Sequence, residues 1–562
     1  MKKNVLLVIA LLNISVAYSQ LSVGGTPKSF RLNNIKSIGT KVNIDKPDLT
    51  TVTEEDNSEE SLFKLRRFGV IIPMGLDFFE KASMTEVENG KLWILKVGCP
   101  EAQALVFYSN KFYLPKGGEL YLYNKDKSKV IGAFTSINNH QQKTFATELI
   151  EGDEMTLEYF QPNTVKDKAE IEVSELGYAY RDILSNEKAG EFGSSGSCNV
   201  NVNCAEGANY RNQQRGVVRI MIKMNSFSMG WCTGSLVNNT SRDLKPYLLT
   251  AAHCVENVSS EIYYNQFVFY FNYESASCSN PNYENQITTT KTLTGASKLA
   301  LETSYASAGS DFLLVLLNDT VPRTYNAYWN GWNINNTTSA SGVCIHHPSG
   351  DIKKISTFTS PLISVSYTSE QVNANGTHWK AKWVSTPTNY GITEGGSSGS
   401  PLFNSNGLIV GTLTGGYSDC SATADMKYDF YGKMSYHWRS NGTTPNKQLK
   451  YWLDSLNTGA LVFSGDDYTT YVSLKDIYSK ENNISTIYPN PTNGDINIYI
   501  KDISSDINFD IYDSKGILVL SSIIPSGLSN KTIPTDNIPS GLYIIKYRTN
   551  SKSWSQKILL KK

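Results

Sequence analysis

The stretch TEGGSSGSPLF at 393–403 sets three serines among glycines, with Ile392 ahead of it and Leu408-Ile409-Val410 behind. Glycine/serine tracts are ordinarily solvated linkers. A tight glycine turn between strand-like segments, however, can hold a reactive side chain at a fixed angle. Gly396 stands two residues before Ser398 and Gly399 one after. Gly396 lets the backbone turn so that the N–H groups of Gly396 and Ser398 aim at one point, an oxyanion hole commonly worth about 10²–10³ in rate per donor. Ser398 is then a nucleophile if a base takes its proton. His253 suits that work, standing in YLLTAAHCV, where Tyr247-Leu248-Leu249 reads as a buried strand. The small residues Thr250-Ala251-Ala252 let the backbone pack closely beside the imidazole. Asp311 opens the apolar run of SDFLLVLL. A carboxylate at the mouth of a buried strand is costly unless paired, and an imidazole N–H is the natural partner; a strand-edge cap is the plainer alternative. The order His253, Asp311, Ser398 is one of three chain orders in which acyl-transfer triads occur on unrelated folds.

The other histidines read as packing or as solvent-exposed. His140 lies in a turn, His346 and His347 are neighbours that face opposite sides of a strand, and His378 and His437 each precede a tryptophan. HExxH and other metal-ligand spacings are absent from the sequence, and neither a metal nor a cofactor is implied.

The elements that must position these residues follow from length and pattern. The chain has 562 residues, with 52 Lys and Arg against 52 Asp and Glu. That length implies several domains, and the balance of charge argues against nucleic acid as a partner. Residues 1–19 read as a signal peptide: two lysines, an apolar run from Val5 to Val16, then small residues. The run is shorter than the roughly 20 residues of a membrane span, so the mature form is expected to be secreted without an integral membrane segment. Eight cysteines in an exported chain point to disulfides, and six of them, Cys198, Cys204, Cys232, Cys254, Cys278 and Cys420, lie in one region of the chain. Cys254, next to His253, could lock its loop to Cys232, contributing roughly 3 kcal/mol by loop-closure entropy.

Residues 20–188 read as a pro-region, with a loose polar arm over 20–60 and short alternating strands over about 62–162. Residues 189–463 form a second strand-rich domain, with one helix expected in NKQLKYWLDSL. A linker over 464–485 leads to a Tyr/Ile-rich unit at 486–562 with the turns and strands of a β-sandwich. The fold class is all-β.

TAAHC, SDFLLVLL and GSSGSP, in that order, resemble the trypsin/chymotrypsin-like serine peptidases. CNVNVNCAEG, CTGSLVNNT, GGSSGSPLF, CSAT and WLDSLNTGA resemble the bacterial lysyl endopeptidases over about 193–463. The resemblance implies two six-stranded β-barrels with the triad between them, and disulfides Cys198–Cys420, Cys204–Cys278 and Cys232–Cys254, with Cys344 a buried thiol. It implies cleavage of protein and peptide substrates, and a pro-region that assists folding or inhibits. Where trypsins carry the pocket aspartate, six residues before the nucleophile, this chain has Ile392; Asp429 in YDFYGKM matches the place where lysyl endopeptidases keep their carboxylate, with Asp425 a rival. The family's histidine and tryptophan beside the aspartate are replaced by Thr414 and Tyr367, which opens arginine as a second substrate residue beside lysine. Ser397 replaces the aspartate that completes the usual zymogen switch, so removal of the N-terminal domain is expected to matter instead, with self-cleavage after Lys188.

YPNPTNG, IYDSKG, SGLYIIKY and the terminal KILLKK resemble the sorting domains of the type IX secretion system, which implies that machinery as a partner and an extracellular or cell-surface destination. Two rival functions stand beside a secreted serine endopeptidase for basic residues. One is a hydrolase of the same mechanism with non-basic specificity. The other is an inactive protease-like surface adhesin.

Overall fold

The computed structural model describes residues 22–32, 39–57, 66–181, 194–281, 290–303, 309–468, 485–500, 506–513, 517–528, 530–549 and 553–562. The expected signal peptide, Lys188 and most of the 464–485 linker lie outside them. The chain divides into two compact units, Met1–Asp467 and Tyr468–Lys562.

Two rings of strands make the centre of the first unit, the second of six and the first of six when the strand that bends at Gly295 is counted once. In the first ring, Val217–Lys223 runs antiparallel to Ser228–Leu236 on one side and Val268–Phe271 on the other. Val268–Phe271 pairs with Lys291–Thr294, and the chain then bends at Gly295 into Ala296–Glu302. The bend needs glycine: φ is +86°, and an added Cβ would lie 2.4 Å from Asn318 Nδ2. Ala296–Glu302 pairs with Phe312–Leu317, which pairs with Tyr247–Thr250, which returns to the end of Ser228–Leu236. In the second ring, Gly342–His346 lies between Lys354–Phe358 and Pro401–Asn404. Pro401–Asn404 continues through Ile409–Gly416 and Tyr428–Lys433 to His378–Lys382. Just past that strand, the Val384 N–H donates to the Thr357 carbonyl at 3.1 Å and closes the ring. Leu249, Phe312, Leu314, Ile345, Phe403 and Ile409 share one buried core, as closed barrels filled by side chains require.

The N-terminal segment departs from expectation in two ways. The polar arm is not loose. Thr40–Asn43 adds a parallel strand to Gly90–Gly98, Thr50–Asp56 is a helix, and Val42, Ile44, Leu49 and Val52 pack on the core of the N-terminal β-sandwich. Part of its acidic run is anchored as well: Asp56 pairs with Arg67 and Arg181 at 2.8 and 3.0 Å. Nor does the N-terminal domain stop near 162 or stand apart. Glu170–Ala179 pairs with Arg66–Asp77, and Arg66–Asp77 pairs in turn with Ser228–Trp231 of the first barrel. Phe68, Ile71, Val106 and Tyr108 share a hydrophobic core with Met221, Met229, Trp231 and Tyr270 of the barrel.

The helix expected in NKQLKYWLDSL shrinks to a turn at Pro445–Lys447 and the four residues Lys450–Leu453. Leu449 and Leu453 are buried, and Asp454 ends the element by accepting from the Thr458 and Gly459 N–H groups. The C-terminal unit is a sandwich of a three-stranded and a four-stranded sheet around Ile498, Phe509, Ile545 and Tyr547. Among the described residues no helix is long and apolar enough to cross a membrane, which says nothing of strands that might.

Candidate active site

His253 and Asp311 meet at the rim of the first barrel. Tyr247–Thr250 delivers His253 into a short 3₁₀ turn, and the Cys232–Cys254 disulfide ties that turn to the neighbouring strand. Asp311 precedes Phe312–Leu317, the strand paired with Tyr247–Thr250, so pairing alone carries both residues to the same end of the sheet. Both Asp311 oxygens are used: Oδ1 accepts from the His253 N–H at 2.9 Å, and Oδ2 lies 2.7 Å from His253 Nδ1. Asp311 holds a left-handed φ of +60°, a conformation that a side chain tolerates when its surroundings over-determine it. Burial alone would raise its pKa, but the charge and hydrogen bonds of His253 outweigh burial and hold it below the ordinary carboxylate value. Burial likewise opposes the imidazolium, and Asp311 outweighs it, so the His253 pKa is raised.

The turn carrying Ser398, from the second barrel, packs against the first-barrel strands beside Thr250 and Cys254. The Ser398 carbonyl accepts from the Thr233 N–H at 2.9 Å, and Cys254 Sγ lies 3.8 Å from the same oxygen. The next residue packs against the strand leading to His253: a Cβ on Gly399 would meet Thr250 Oγ1 at 2.1 Å and the Ala251 nitrogen at 2.5 Å. Thr233 also donates its hydroxyl to the Gly396 carbonyl at 2.9 Å. Within the turn the Ser397 N–H donates to the Glu394 carbonyl, the Gly399 N–H to Leu413 and the Ser400 N–H to Ser397. The N–H groups of Gly396 and Ser398 have no acceptor among the described residues. Spare N–H donors flanking a serine are what an oxyanion hole would use.

Several residues that hold this turn carried no signal in the sequence. Ser397, in the place of the usual zymogen aspartate, has its Oγ 2.8 Å from His346 Nδ1, and His346 also contacts Ser356 Oγ. Burial, with Lys354 nearby, pushes the His346 pKa down to about 3. Glu394 is held from three sides, accepting from the Gly196 N–H, Asn199 Nδ2 and Ser349 Oγ. His378 and His437, expected to be unremarkable, are both buried near Asp311. His378 stacks on Tyr367 at 4.7 Å and contacts Thr414 Oγ1 at 3.0 Å, so the two positions singled out in the sequence meet on one imidazole. Burial lowers its pKa to about 4. His437 bridges Ser310 Oγ at 2.8 Å and Thr412 Oγ1 at 2.9 Å, clamping the residue before Asp311 to the second barrel. His140 faces Asp319 at 3.7 Å, and His347 is bonded to the Asp351 carbonyl. Both lie outside the cavity described next.

A cavity of about 430 Å³ opens beside Ser398 and is lined by Gly395, Thr414, Gly416, Ser418 and Asp429 among others. Asp429 is fully buried. Its Oδ2 accepts from Trp383 Nε1 at 2.5 Å, Thr393 Oγ1 at 2.7 Å and Ser418 Oγ at 2.7 Å, while Oδ1 accepts one long bond from the Ser418 N–H at 3.3 Å. Burial raises the Asp429 pKa against the opposing pull of these donors. Oδ1 lies beside Gly416, where a Cβ would come within 2.1 Å of it. Asp425 is exposed and paired with Lys382 at 2.7 Å on the surface. Ile392 is buried in the second-barrel core. Among the described residues no group of His, Cys, Asp or Glu side chains could hold a metal ion.

Residues 192–432 match the family model of the lysyl endopeptidase C-terminal domain, and residues 486–561 match that of the secretion system C-terminal sorting domain. A lysyl endopeptidase of Pseudomonas aeruginosa is 28% identical over 304 residues, covering 52% of this chain and 61% of that protein. Over residues 192–432 the chain is similar to the lysyl endopeptidases. The chain thus spans less than two thirds of that relative's length. Similar solved structures include GrC (13% identity, 42% of this chain and 92% of that chain, TM-score 0.28) and Deg5 (13%, 40% and 87%, 0.25). An immunoglobulin-like β-sandwich protein of Bacteroides vulgatus is 18% identical over 14% of this chain and 85% of its own, with TM-score 0.13. His253, Asp311, Ser398 and Asp429 all fall inside the matched residues 192–432, and the N-terminal strand that extends the sheet falls outside. Cys198–Cys420, Cys204–Cys278 and Cys232–Cys254 are the disulfides of that stretch. Cys344 and Cys99 are buried thiols, and burial pushes them up to about 12 and about 11. The sorting domain marks the chain for secretion or the cell surface.

Proposed function

We propose that the chain is a secreted serine endopeptidase that cuts after basic residues, lysine before arginine. The observation that carries this reading is the placement of Ser398 and Asp429 on one cavity, with the Ser398 carbonyl beside Cys254, the residue after His253, which is itself paired with Asp311. Ser398 Oγ attacks the peptide carbonyl as His253 takes its proton. Asp311 holds the imidazole tautomer and stabilises the imidazolium, consistent with the raised His253 pKa. The Gly396 and Ser398 N–H groups receive the developing oxyanion. His253 protonates the leaving amine, and water then repeats the sequence on the acyl-enzyme.

Asp429 is the acceptor for the substrate cation. Three donors occupy its Oδ2, which leaves Oδ1 with spare capacity. A lysine ammonium is a point charge that one oxygen serves, whereas a guanidinium gains most from both oxygens of a carboxylate at once. That asymmetry supports a preference for lysine despite Thr414 and Tyr367. The sorting domain would hand the chain to the type IX secretion machinery. The test is mass-spectrometric mapping of cut sites in a mixed peptide library with the processed enzyme and with Ser398→Ala. Cuts after Lys, more than after Arg, that vanish in the variant are expected; cuts that persist in it would remove Ser398 from the reaction.

A further inference from the structure

An oxyanion hole is only as good as the hold on the peptide planes that supply it. In a trans peptide the N–H and the carbonyl of one plane point opposite ways, so fixing the carbonyl aims the N–H. The plane that ends in the Ser398 N–H has its carbonyl, on Ser397, pinned from inside the turn by the Ser400 N–H at 2.9 Å. The plane that ends in the Gly396 N–H is pinned from outside. Its carbonyl, on Gly395, accepts from the Ser349 N–H at 2.6 Å. Gly396 rests on the same neighbour: an added Cβ would lie 2.8 Å from the Gly350 nitrogen and 3.0 Å from the His347 carbonyl oxygen. Ser349 Oγ adds a bond to the Glu394 carboxylate at 2.8 Å, so the short turn Pro348–Gly350 grips both residues ahead of Gly396. Both ends of the outer plane are glycines, so the chain itself offers little resistance to its rotation.

The grip is built against strain. Ser349 stands at a left-handed φ of +53°, which serine keeps where its surroundings over-determine it. The His347 N–H donates to Thr233 Oγ1 at 3.1 Å, the Asp351 N–H to the Pro348 carbonyl at 2.9 Å, and Ser194 Oγ to the Ser349 carbonyl at 3.0 Å. From beneath, Arg219 Nη1 donates to the Gly350 carbonyl at 2.7 Å. Arg219 is buried, and its guanidinium lies 3.8 Å from the Tyr273 ring centre, 4.1 Å from that of Trp231 and 4.4 Å from that of Tyr270. Aromatic faces offset part of the cost of burying such a charge. The guanidinium so caged holds one carbonyl of the turn that aims the Gly396 N–H.

We propose that Pro348–Gly350 is the latch of the oxyanion peptide Gly395–Gly396, and that Arg219 is the positioning residue that keeps the latch closed. This rests on the peptidase reading above. Arg219 does not line the cavity; it acts through two hydrogen bonds in series, from its guanidinium to Gly350 and from Ser349 to Gly395. Opening the latch frees the Gly395–Gly396 plane to rotate, which takes one of two donors off the tetrahedral oxygen and leaves Asp429 and its pocket as they are.

The test compares wild type, Arg219→Met, Arg219→Lys and Ser349→Gly, each expressed as the full-length chain and brought to the same processed form, as mass spectrometry verifies. Methionine fills the aromatic slot without a donor, and lysine can still donate to the Gly350 carbonyl. Glycine keeps the backbone N–H and the left-handed φ but drops the bond to Glu394. The readings are kcat and KM on a short lysyl amide, inhibition by a peptide aldehyde ending in lysine, and inhibition by pentylamine. The aldehyde takes up Ser398 Oγ as a hemiacetal and needs the oxyanion donors, whereas pentylamine needs only Asp429. Arg219→Met should lower kcat at least tenfold with KM within twofold, weaken the aldehyde by a similar factor and leave pentylamine within twofold. Arg219→Lys should regain at least threefold of that kcat. Ser349→Gly, which leaves the buried cage intact and so tests the latch even if Arg219→Met does not fold, should lose at least threefold in kcat with KM within twofold. A kcat within twofold of wild type in Ser349→Gly or in folded Arg219→Met would overturn the latch, as would losses confined to KM and pentylamine, or no recovery in Arg219→Lys. A silent processed wild type would instead overturn the peptidase reading itself.

Discussion

Asp429→Asn separates recognition from catalysis more cleanly than any other change in the site. The carboxylate is buried, takes three donors on Oδ2 and has only one long bond, from the Ser418 N–H, on Oδ1. Asparagine keeps the shape and can still accept on one oxygen from Trp383, Thr393 and Ser418, but it puts an amide where the ammonium should land. Removing one partner of a buried charge pair costs about 2–5 kcal/mol, or roughly 30- to 5,000-fold in kcat/KM. The raised Asp429 pKa means that part of this electrostatic gain is offset by holding the carboxylate ionised, so the expected loss is about 10²-fold for a lysyl peptide. A peptide with methionine in place of that lysine should change by less than threefold. Stability should move the other way. An unfolded aspartate ionises near pH 4 and the folded one higher, so ionisation destabilises the native wild type increasingly as pH rises through that window. The variant is free of this penalty, and its Tm advantage should appear above pH 4 and grow with pH, about 2–4 °C for each kcal/mol. Steady-state kinetics on the peptide pair and thermal melts from pH 4 to 8 read both effects. Equal loss on both peptides would refute the reasoning, since damage would then be to the turn carrying Ser398. An unchanged lysyl rate would refute it by removing Asp429 from the pocket.

The acid limb of the pH profile should carry the same signature. His253 must be neutral to act, and its pKa is raised above the ordinary value near 6.5, so kcat/KM should fall tenfold per pH unit as pH drops below that raised value. For a lysyl peptide a second proton, on Asp429, should steepen the limb at lower pH, whereas the methionine peptide and Asp429→Asn should keep unit slope throughout; identical slopes on both peptides would contradict the assignment. His437→Phe removes the bridge from Ser310 to Thr412 and should let Asp311 drift, lowering kcat about tenfold with KM within twofold and with partial rescue by His437→Gln. A change confined to KM would mean that His437 acts on the pocket rather than on the catalytic acid.

What could be read from the sequence, and what could not, follows from where each residue's partners lie in the chain. His253 and Asp311 were legible because each stands at the end of an apolar strand, so a short motif carries both the side chain and the element that aims it. Ser398 was legible because its own neighbours, Gly396 and Gly399, make the turn. The buried imidazoles were not. His378 meets Thr414, 36 residues on, and His437 meets Thr412 and Ser310, 25 and 127 residues back, so their local sequence left packing and solvent exposure equally open and pointed to neither partner. His346 is the sharper case: adjacency to His347 suggested that only one could matter, yet it is the His346 bond to Ser397 that stands where a zymogen switch would have used a carboxylate. The N-terminal domain failed for a different reason. Alternation in Arg66–Asp77 announces a strand with one apolar face, and that pattern is identical whether Phe68 faces its own sandwich or Trp231 across a domain boundary. Likewise Val42, Ile44, Leu49 and Val52 are scattered apolar residues in a polar arm, too irregular for periodicity to register but enough to dock on a core that already exists. Strand addition between domains is therefore invisible to pattern and visible only in register.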